Sequence, residues 1–325
     1  MAAFVFLSAV TIEMIIHRGY NDLHLREPVI TMGVFDGVHR GHRILLGRVV
    51  ELAAAGGSDG VAVTFDPHPR IVLSGDSSHL RFLTDIDERA ALMEGTGIGH
   101  LVIIEFTPEL SRMSACEFLE EILCRHLGVS HLVAGFNHHF GKRHEGTSDT
   151  IMECSGKLGF SVSREEALTV DGTPVSSSWI RALLSGGEVE KASELLGYDY
   201  TLTGRVVTGR KIGRELGFPT ANIEALFPYK LIPGDGVYAV EIETEGYAGR
   251  LPAMLNIGTN PTIRVGDGRR TVEVHLIDFD GDLYDKILSI IFRFRLRDEI
   301  MYETVEDLAR QMRADRIRTL GLLGK

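Results

Sequence analysis

Residues 33–42, with the sequence GVFDGVHRGH, constrain this chain more than any other stretch. They follow an apolar run at 29–32 that predicts a short buried strand, and they lead into apolar residues that recur at helical spacing from Ile44 to Leu52. Two histidines, His39 and His42, therefore lie where a strand turns into a helix. Free amides and the positive end of the helix dipole attract phosphate there, and the glycines let the backbone approach a ligand closely. The stretch predicts a cradle for a polyphosphate.

Two other interpretations of the same residues stay open at this point. His39 and His42 on one helical face could ligate a metal, but zinc needs a third and usually a fourth ligand, and Asp36 is the nearby candidate in the sequence. The other interpretation is an ordinary glycine-rich turn that happens to carry histidines.

The net charge of the chain argues against some classes of binding partner. The 325 residues allow two domains, each with its own core, and 44% hydrophobic with 24% charged residues is typical of a soluble globular protein. A net charge of −11 argues against broad binding to nucleic acid or to an anionic membrane surface. We therefore expect no nucleic-acid partner and no membrane partner, and an anionic nucleotide must meet local positive groups.

The three cysteines, Cys116, Cys124 and Cys154, form no CxxC pair and predict no disulfide framework. The reducing cytosol is the compartment that this usage indicates, so we expect a cytoplasmic protein. Cys116 and Cys124 fall within or beside the apolar periodicity of a helix that begins near Ser114 with a capping box, so we expect both to pack in the core.

The first residues form a separate apolar segment. Residues 2–10 (AAFVFLSAV) are too few to span a bilayer, and no Lys or Arg precedes them, which argues against a secretory signal. They predict an extra strand or an extension ahead of Met14.

Strands and helices alternate up to about residue 185. Short apolar runs at 61–65, 101–106 and 131–134 are separated by helical patterns that include 86–93 and 115–127. This order predicts an α/β, Rossmann-like domain with a parallel sheet covered by helices. Polar clusters at 33–42, 66–69 and 135–141 each follow a strand, so we expect them to meet at the carboxyl edge of the sheet.

The pattern changes after a short predicted helix within 186–197, so the predicted domains are residues 1–185 and 186–325. Beyond Tyr198, period-2 alternation with Gly and Asp turns predicts a small antiparallel β-barrel, followed by a terminal helix over 305–316. Asp280-Gly281 is a hairpin signal.

The densest polar cluster of the second half is GRELGFPTAN at 213–222. Thr220 and Asn222 offer oxygen atoms suited to Mg²⁺ and phosphate, although no Walker loop is present and an ordinary turn is the alternative. Glu273 lies on a barrel strand, where it is either solvated or lines a pocket as a general base for phosphoryl transfer.

A serine cluster closes the first half, with the sequence SSSWIR at 176–181. Serine hydroxyls at a helix start both cap the helix and bind phosphate oxygens. Arg181, one turn into the helix, could clamp a leaving pyrophosphate. Capping alone is the alternative, and the two roles are compatible.

Together, these motifs make the chain resemble the prokaryotic bifunctional riboflavin kinase/FAD synthetase family from about Met14 to Arg316. The resemblance in the first half rests on residues 33–42, on TFDPHP at 64–69, on residues 135–141 and on residues 176–181. In the second half it rests on GFPTAN at 217–222, NIGT at 256–259 and residues 271–279. One HxGH motif is shared by many nucleotidyltransferases, whereas this ordered set is highly specific.

The resemblance implies two reactions and their ligands. The C-terminal barrel would phosphorylate riboflavin from MgATP to give FMN, and the N-terminal nucleotidyltransferase domain would transfer AMP from ATP to FMN to give FAD and pyrophosphate. The implied catalytic residues are Glu273, His39 and His42. The implied ATP- and phosphate-binding residues are Gly33, Phe35, Asp36, Asn137, Ser177, Ser178, Arg181, Gly213, Thr220 and Asn222. The implied flavin contacts are Asp66, Arg297 and Glu299, and the metal ligands are Thr220 and Asn222.

Two other functions compete with this expectation. A nucleotidyltransferase for another acceptor would explain His39 and His42 but not the barrel motifs. A flavin-binding regulator with idle catalytic sites would retain the motifs without turnover.

Overall fold

The computed structural model describes residues 13–136, 141, 146–208, 218–259 and 270–325. They form two compact units: residues up to Leu80 together with Thr84–Val175, and Arg81–Leu83 together with Ser176–Lys325. The predictions made for residues 2–10, Asn137 and Gly213 lie outside the described residues. No helix in the described ranges is both long enough and apolar enough to cross a membrane.

The first unit is built on a six-stranded sheet in which every pairing is parallel. Its strands are β1 (Ile15–Arg18), β2 (Val29–Met32), β3 (Gly60–Asp66), β4 (His100–Glu105), β5 (His131–Ala134) and β6 (Ser161–Arg164). Its helices are α1 (Arg40–Gly56), α2 (Pro69–Leu73), α3 (Ile86–Glu94), α4 (Ala115–Phe118, continued by π-helical Leu119–His126) and α5 (Ser148–Leu158). A short hairpin pairs β7 (Thr169–Val170) with β8 (Thr173–Pro174).

The sheet order is β1-β4-β3-β2-β5-β6. All four residues of β2 are buried, and separate apolar clusters cover the two faces of the sheet, which confirms the predicted parallel α/β sheet. The chain proceeds from β2 to β3 and β4 on one side and then returns to place β5 on the other side. The carboxyl ends of β2 and β5 therefore flank the switch point, where ligands bind in such sheets.

The second unit begins with two helices, α6 (Ser177–Ser185) and α7 (Val189–Leu196), and ends with α8 (Val305–Leu323). Between them lie β9 (Thr201–Val207), β10 (Ala221–Ala225), β11 (Gly236–Thr244), β12 (Leu251–Gly258), β13 (Thr271–Leu276) and β14 (Ile287–Arg297). These strands close into an antiparallel barrel in the order β10-β13-β12-β11-β14-β9, which confirms the predicted barrel and its terminal helix.

The terminal helix runs beyond the predicted residue 316 because α8 has an apolar support. Met312 and Leu320 pack against a buried cluster that contains Met254 of β12. Helix α8 also packs against β11, so residues 236–242 are buried on both faces although their sequence alternates.

The hairpin prediction at Asp280-Gly281 is wrong. These residues lie in the connection between β13 and β14, and those two strands pair with other neighbours in the barrel. A turn signal is local, so it cannot specify which strands form hydrogen bonds across the closed barrel.

The second unit begins at Ser176 rather than at residue 186, where the sequence suggested a boundary. Helix α6 belongs to it because Ile180 and Leu184 are fully buried and Gly234 N–H donates to Leu184 O at 2.8 Å. The segment Arg81–Leu83 belongs to it because Phe82 exchanges two backbone hydrogen bonds with the chain on either side of Lys230, which is itself buried.

One pair of cysteines is bonded, although no pairing was predicted from the sequence. Cys116, in the first turn of α4, and Cys154 of α5 form a disulfide with Cα atoms 5.7 Å apart. The residues are separated by 38 positions, so no sequence spacing such as CxxC announces the pair. Cys116 is exposed rather than in the core, Cys154 is buried, and Cys124 is a half-buried free thiol.

Candidate active sites

The turn between β2 and α1 holds the two predicted histidines in contact. His39 caps α1, and His42 N–H donates to His39 Nδ1 at 3.3 Å. The two imidazole rings stack with centroids 3.6 Å apart. A Cβ atom at Gly41 would lie 3.2 Å from the His39 ring, so glycine permits the close approach. Since His39 Nδ1 accepts a hydrogen bond, the neutral ring carries its proton on Nε2.

The same turn is conformationally strained at two residues with side chains. Phe35 and Val38 have φ angles of 53° and 34°, in the left-handed region that costs free energy for such residues, and both are buried. The Phe35 ring contacts His42 edge-on, with centroids 5.3 Å apart. Strain of this kind persists where surrounding contacts enforce it, and it is typical of ligand-binding turns.

Both histidines are neutral near pH 7 in this environment. Burial lowers the pKa of His39 to about 4, although its backbone hydrogen bond opposes the shift. Burial, His39 and Arg89 together lower the pKa of His42 well below its usual value. The pair therefore presents imidazole donors rather than fixed cations before a substrate binds.

Asp36 stabilises the turn from inside. It is buried, and its Oδ1 accepts from the backbone N–H of Thr84 at 3.1 Å. The Thr84 hydroxyl in turn accepts from Gly37 N–H at 3.0 Å. Asp36 and Thr84 thus fix the backbone that leads to His39.

Arg89 is a second support that lies beneath the turn. It is 3% exposed, and its Nη1 donates to Val34 O, Thr64 Oγ1 and Phe65 O. Burial lowers the pKa of Arg89, whereas Asp36, Asp66 and Asp85 favour its charged form.

Asp66, a predicted flavin contact, ends β3 beside β2. The next residues start α2, which His68 caps by accepting from Arg70 N–H at 3.0 Å. Strands β2 and β3 are adjacent and parallel, so Asp66 and the histidine turn emerge at the same edge of the sheet. The prediction that these two motifs converge is confirmed.

The serine cluster starts α6 as predicted. Ser176 is the N-cap and accepts from Trp179 N–H at 3.3 Å, while Arg181 Nη2 donates to Ser178 Oγ at 3.1 Å. Ser177, Ser178 and Arg181 belong to the second unit, whereas the histidines belong to the first. Their contact with the same nucleotide stays a prediction.

In the barrel, one polar row contains the predicted kinase residues. Asn222 of β10 lies opposite Glu273 of β13, and Glu273 lies opposite Asn256 of β12. Thr220 Oγ1 donates to Glu273 Oε2 at 3.4 Å. All four side chains are part-exposed, so the row lies at an accessible end of the barrel wall.

The row continues toward β14. Asn256 Nδ2 donates to Glu299 Oε1 at 3.3 Å. A Cβ atom at Gly258 would lie 2.2 Å from the Glu299 carboxyl group, so glycine is required for that carboxylate to lie over β12. Arg297, opposite Val237 on the next strand, makes a bidentate ion pair with buried Asp315 of α8: Nε donates to Oδ1 and Nη2 donates to Oδ2. Arg297 is therefore in the row, and its guanidinium anchors α8.

The donors in this row suit a hard cation. Thr220 supplies a hydroxyl oxygen, Asn222 an amide oxygen, and Glu273 a carboxylate beside them. In the described part of the chain, no three His, Cys, Asp or Glu side chains cluster as a metal site. Such a sparse oxygen set fits a cation that retains water and takes most of its ligands from phosphate.

Sequence reasoning missed three residues that build these sites. Arg89 occupies the buried stripe of α3 with Ala90 and Met93, and a charge at an apolar helical position was the available signal. Asn256 lies in a stretch noted for its resemblance but was not predicted as a site residue. Thr84 gave no sequence signal beyond its position before an N-cap.

Two family models match consecutive parts of the chain. The model described as FAD synthetase matches residues 22–179, and the model described as riboflavin kinase matches residues 196–323. Their order along the chain follows the order of the two sets of motifs.

Curated relatives match nearly the whole chain. The bifunctional riboflavin kinase/FMN adenylyltransferase of Pseudomonas fluorescens is 37% identical over 92% of this chain and 94% of its own length. The protein of the same name from Listeria monocytogenes is 35% identical over 91% of this chain and 93% of its own length.

A solved structure has the same fold. The crystal structure of a protein from Streptococcus pneumoniae, described as a macrolide-efflux protein, is 27% identical, with a TM-score of 0.82. The match covers 94% of this chain and 99% of that one. This likeness supports the fold, whereas the family models and the curated relatives agree on flavin nucleotide synthesis.

Proposed function

The chain belongs to the bifunctional riboflavin kinase/FMN adenylyltransferase family, and from that premise we propose which of its residues carry out the two reactions. The enzyme phosphorylates riboflavin to FMN with ATP, and it adenylylates FMN to FAD with release of pyrophosphate. Riboflavin, FMN, ATP and FAD are therefore its small-molecule ligands.

One observation carries the assignment of residues: the chain contains two separate polar sites, each within the part matched by one family model. The histidine turn lies within residues 22–179, and the row around Glu273 lies within residues 196–323. We propose that the first is the adenylyl-transfer site and the second the kinase site.

In the adenylyl-transfer reaction, a phosphate oxygen of FMN attacks the α-phosphorus of ATP. The bond from that phosphorus to the bridging oxygen breaks, and pyrophosphate leaves with the electron pair. We propose that His39 Nε2–H and the His42 imidazole donate hydrogen bonds to the phosphate oxygens, where negative charge grows in the transition state. The free amides of α1 and its dipole act on the same oxygens. Alignment and charge stabilisation suffice, so no covalent enzyme intermediate is needed.

Beside the histidines, we propose that Asp66 contacts the flavin substrate. The turn residues Gly33, Phe35 and Asp36 would shape the ATP site. Ser177, Ser178 and Arg181 would bind phosphate, and Arg181 would hold the departing pyrophosphate by a charge-assisted hydrogen bond. The start of α6 offers these donors on one helical turn, which supports the assignment.

In the kinase reaction, the 5′-hydroxyl of riboflavin attacks the γ-phosphorus of ATP. We propose that Glu273 accepts the hydroxyl proton as the new oxygen–phosphorus bond forms, and ADP leaves. Thr220 Oγ1, 3.4 Å from Glu273 Oε2, would lie against the phosphates with Asn222. Glu299 and Arg297 are proposed flavin-side residues because they continue the same row.

Both reactions use ATP with a divalent cation, which we propose to be Mg²⁺. Thr220 and Asn222 would hold it in the kinase site, and their hard oxygen donors support this choice. When bound, the cation would neutralise charge on the transferring phosphate.

We also propose that the enzyme works in the cytoplasm, where ATP is available. Trapping thiols with an alkylating reagent at lysis, followed by mass spectrometry of Cys116 and Cys154, tests the location. Reduced thiols would agree with it, and a fully oxidised pair in freshly trapped cells would contradict it.

The direct test of the activity is a product assay with the purified full chain, riboflavin, ATP and Mg²⁺. We expect FMN to form first and FAD to follow, with pyrophosphate equal to FAD. Accumulation of FMN without FAD would contradict the adenylyl-transfer assignment. Preferential adenylylation of another acceptor, such as pantetheine phosphate, would favour the alternative transferase. Flavin binding without ATP turnover would favour the regulator.

A further inference from the structure

Arg89 carries a buried charge that the proposed reactions do not use. It lies on the apolar stripe of α3 with 3% of its surface exposed. A buried cation is costly unless its surroundings compensate it, and an apolar side chain would fill the same space without that cost. Packing alone therefore does not account for an arginine at this position.

The contacts of Arg89 join the ends of two neighbouring strands. Nη1 donates to Val34 O, just beyond β2, at 2.9 Å. It also donates to two residues near the end of β3, to Thr64 Oγ1 at 3.0 Å and to Phe65 O at 3.3 Å. Thr64 Oγ1 also donates to Val34 O at 3.2 Å. One guanidinium thus connects the strand that leads to the histidines with the strand that ends at Asp66.

The charges around Arg89 come from both of these segments and from the start of its own helix. Asp36 belongs to the histidine turn, Asp66 to the end of β3, and Asp85 to the N-cap of α3. Arg89 Nε and His42 Nδ1 are both inaccessible to solvent and lack a hydrogen-bond partner within the described ranges. Buried polar atoms that lack hydrogen-bond partners in one region are typical of a site where a substrate or water supplies the missing hydrogen bonds.

We propose that Arg89 is a positioning residue for adenylyl transfer, which holds the histidine turn and the Asp66 segment in register so that ATP and FMN meet in line. The inference rests on the proposed adenylyl-transfer site. In-line attack needs the reacting atoms about 3–3.5 Å apart, and a misplacement of about 1 Å lowers the rate by about 100-fold. A residue that sets the spacing of the two segments therefore acts on turnover more than on nucleotide affinity.

The test compares Arg89→Met and Arg89→Lys in the full chain, with Arg112→Met, an exposed arginine of the same unit, as the matched control. Each protein is assayed for FAD formation from supplied FMN, for ATP affinity and for riboflavin kinase activity. We expect Arg89→Met to lower kcat for FAD formation by about 100-fold, with a much smaller change in ATP affinity. Arg89→Lys keeps the charge but not the planar fork, so its loss should be intermediate, at about 10-fold. Kinase activity, which belongs to the second unit, should be unchanged throughout, and a thermal scan of each variant reports whether the first unit is folded.

A second readout tests whether the charge of Arg89 acts on His42. Burial lowers the pKa of His42 most, and two neighbouring groups lower it further: His39, which stacks on it, and the Arg89 cation. NMR titration of the labelled His42 ring should show a higher midpoint in Arg89→Met, because a neighbouring positive charge is gone. The midpoint should stay low in Arg89→Lys. This difference would show that the Arg89 charge acts on His42, and the separation of kcat from ATP affinity then distinguishes positioning from support of α3.

Several outcomes would overturn the inference. FAD formation by Arg89→Met within threefold of the unaltered enzyme would do so. So would a loss proportional to the unfolded fraction in a thermal scan, or equal losses in the methionine and lysine variants with an unshifted His42 titration. If the unaltered enzyme itself made no FAD from FMN, the proposed function would fail instead, and the variants would not be needed to show it.

Discussion

At the scale of single residues, His39 combines three properties in one side chain. It caps α1 through Nδ1, directs its Nε2 proton away from the helix, and stacks on His42. Its capping role requires the unprotonated Nδ1 atom, so the environment that lowers its pKa also preserves the helix start. The helix cap and the hydrogen-bond donor offered to phosphate therefore both depend on the neutral state of His39.

This coupling predicts a pH dependence of stability. The pKa of His39 is about 4 in the folded chain, against 6.5 as the reference, so between these values the unfolded chain binds a proton that the folded chain does not. Stability of the first unit should therefore fall as pH decreases from 6.5 to 4, by on the order of 3 kcal/mol from this residue. Hydrogen exchange of amides in α1, corrected for intrinsic rates, measures it.

His39→Asn is the control, because asparagine is a good N-cap and does not titrate. In this variant, the stability of the first unit should change less with pH. The change that remains comes from His42, whose lowered pKa also makes stability fall as pH decreases. Identical slopes in the variant and the unaltered chain would show that His39 is not the titrating group.

Asn256 gives a prediction for the kinase site. Its amide donates to Glu299 Oε1 at 3.3 Å and lies opposite Glu273. Asn256→Asp removes that donor and adds a carboxylate between two others, so riboflavin phosphorylation should fall by about 10- to 100-fold in kcat/KM. Adenylylation of supplied FMN by the same preparation is the control. Unchanged kinase activity would separate Asn256 from the site.

At the scale of elements, the anchor between β14 and α8 shows how a predicted ligand contact can also hold the fold. Arg297 was expected beside the flavin, and its guanidinium forms a bidentate pair with Asp315, whose side chain is 6% exposed. Gln311 donates to the same carboxylate at 2.9 Å. Unfolding measurements on variants of this ion pair can separate the anchoring role of Arg297 from a contact with the flavin.

Removing one partner of this ion pair should destabilise the second unit more than removing both. Arg297→Met leaves the Asp315 carboxylate buried and should lower the free energy of unfolding by about 3–5 kcal/mol. The double variant Arg297→Met/Asp315→Leu should recover much of that loss, as measured by denaturant unfolding followed by the fluorescence of Trp179 in α6. Strict additivity of the two single changes would contradict an anchoring pair.

The sequence predicted elements well where one short pattern determines them. Residues 131–134 form β5 as predicted, and Ser114 starts α4 with the expected capping box. Strand β1 was missed because its IIHR sequence is mostly exposed and does not alternate. The prediction of a hairpin at Asp280-Gly281 was wrong because strand pairing in a closed barrel depends on segments that are distant in the sequence. Arg89 and Asn256 were missed for the same reason: their hydrogen-bond partners are distant from them in the sequence.

At the scale of the whole molecule, the second unit includes segments that a division of the chain at residue 186 assigns to the first. The second unit takes in α6 and also Arg81–Leu83, whose Leu83 O accepts from the buried Lys230 Nζ at 2.7 Å. The order of the motifs could be read from the sequence, but these packing relations could not.

A pair of fragments tests where the second unit begins. Residues 176–325 should unfold at a higher temperature than residues 186–325, because the shorter fragment lacks Ile180 and Leu184, which are fully buried. Burial of two such side chains contributes about 3–6 kcal/mol. Both fragments lack Arg81–Leu83, so the comparison isolates α6. Equal melting temperatures by circular dichroism would place the boundary at residue 186.

The central claim is that the two activities belong to two sites, one with His42 and one with Glu273. It is tested most directly by assaying Glu273→Gln and His42→Ala in the full chain for both reactions. We expect Glu273→Gln to lose phosphorylation of riboflavin while making FAD from supplied FMN at the normal rate, and His42→Ala to make FMN but little FAD. Joint loss of both activities in either variant, with the protein still folded, would contradict the account.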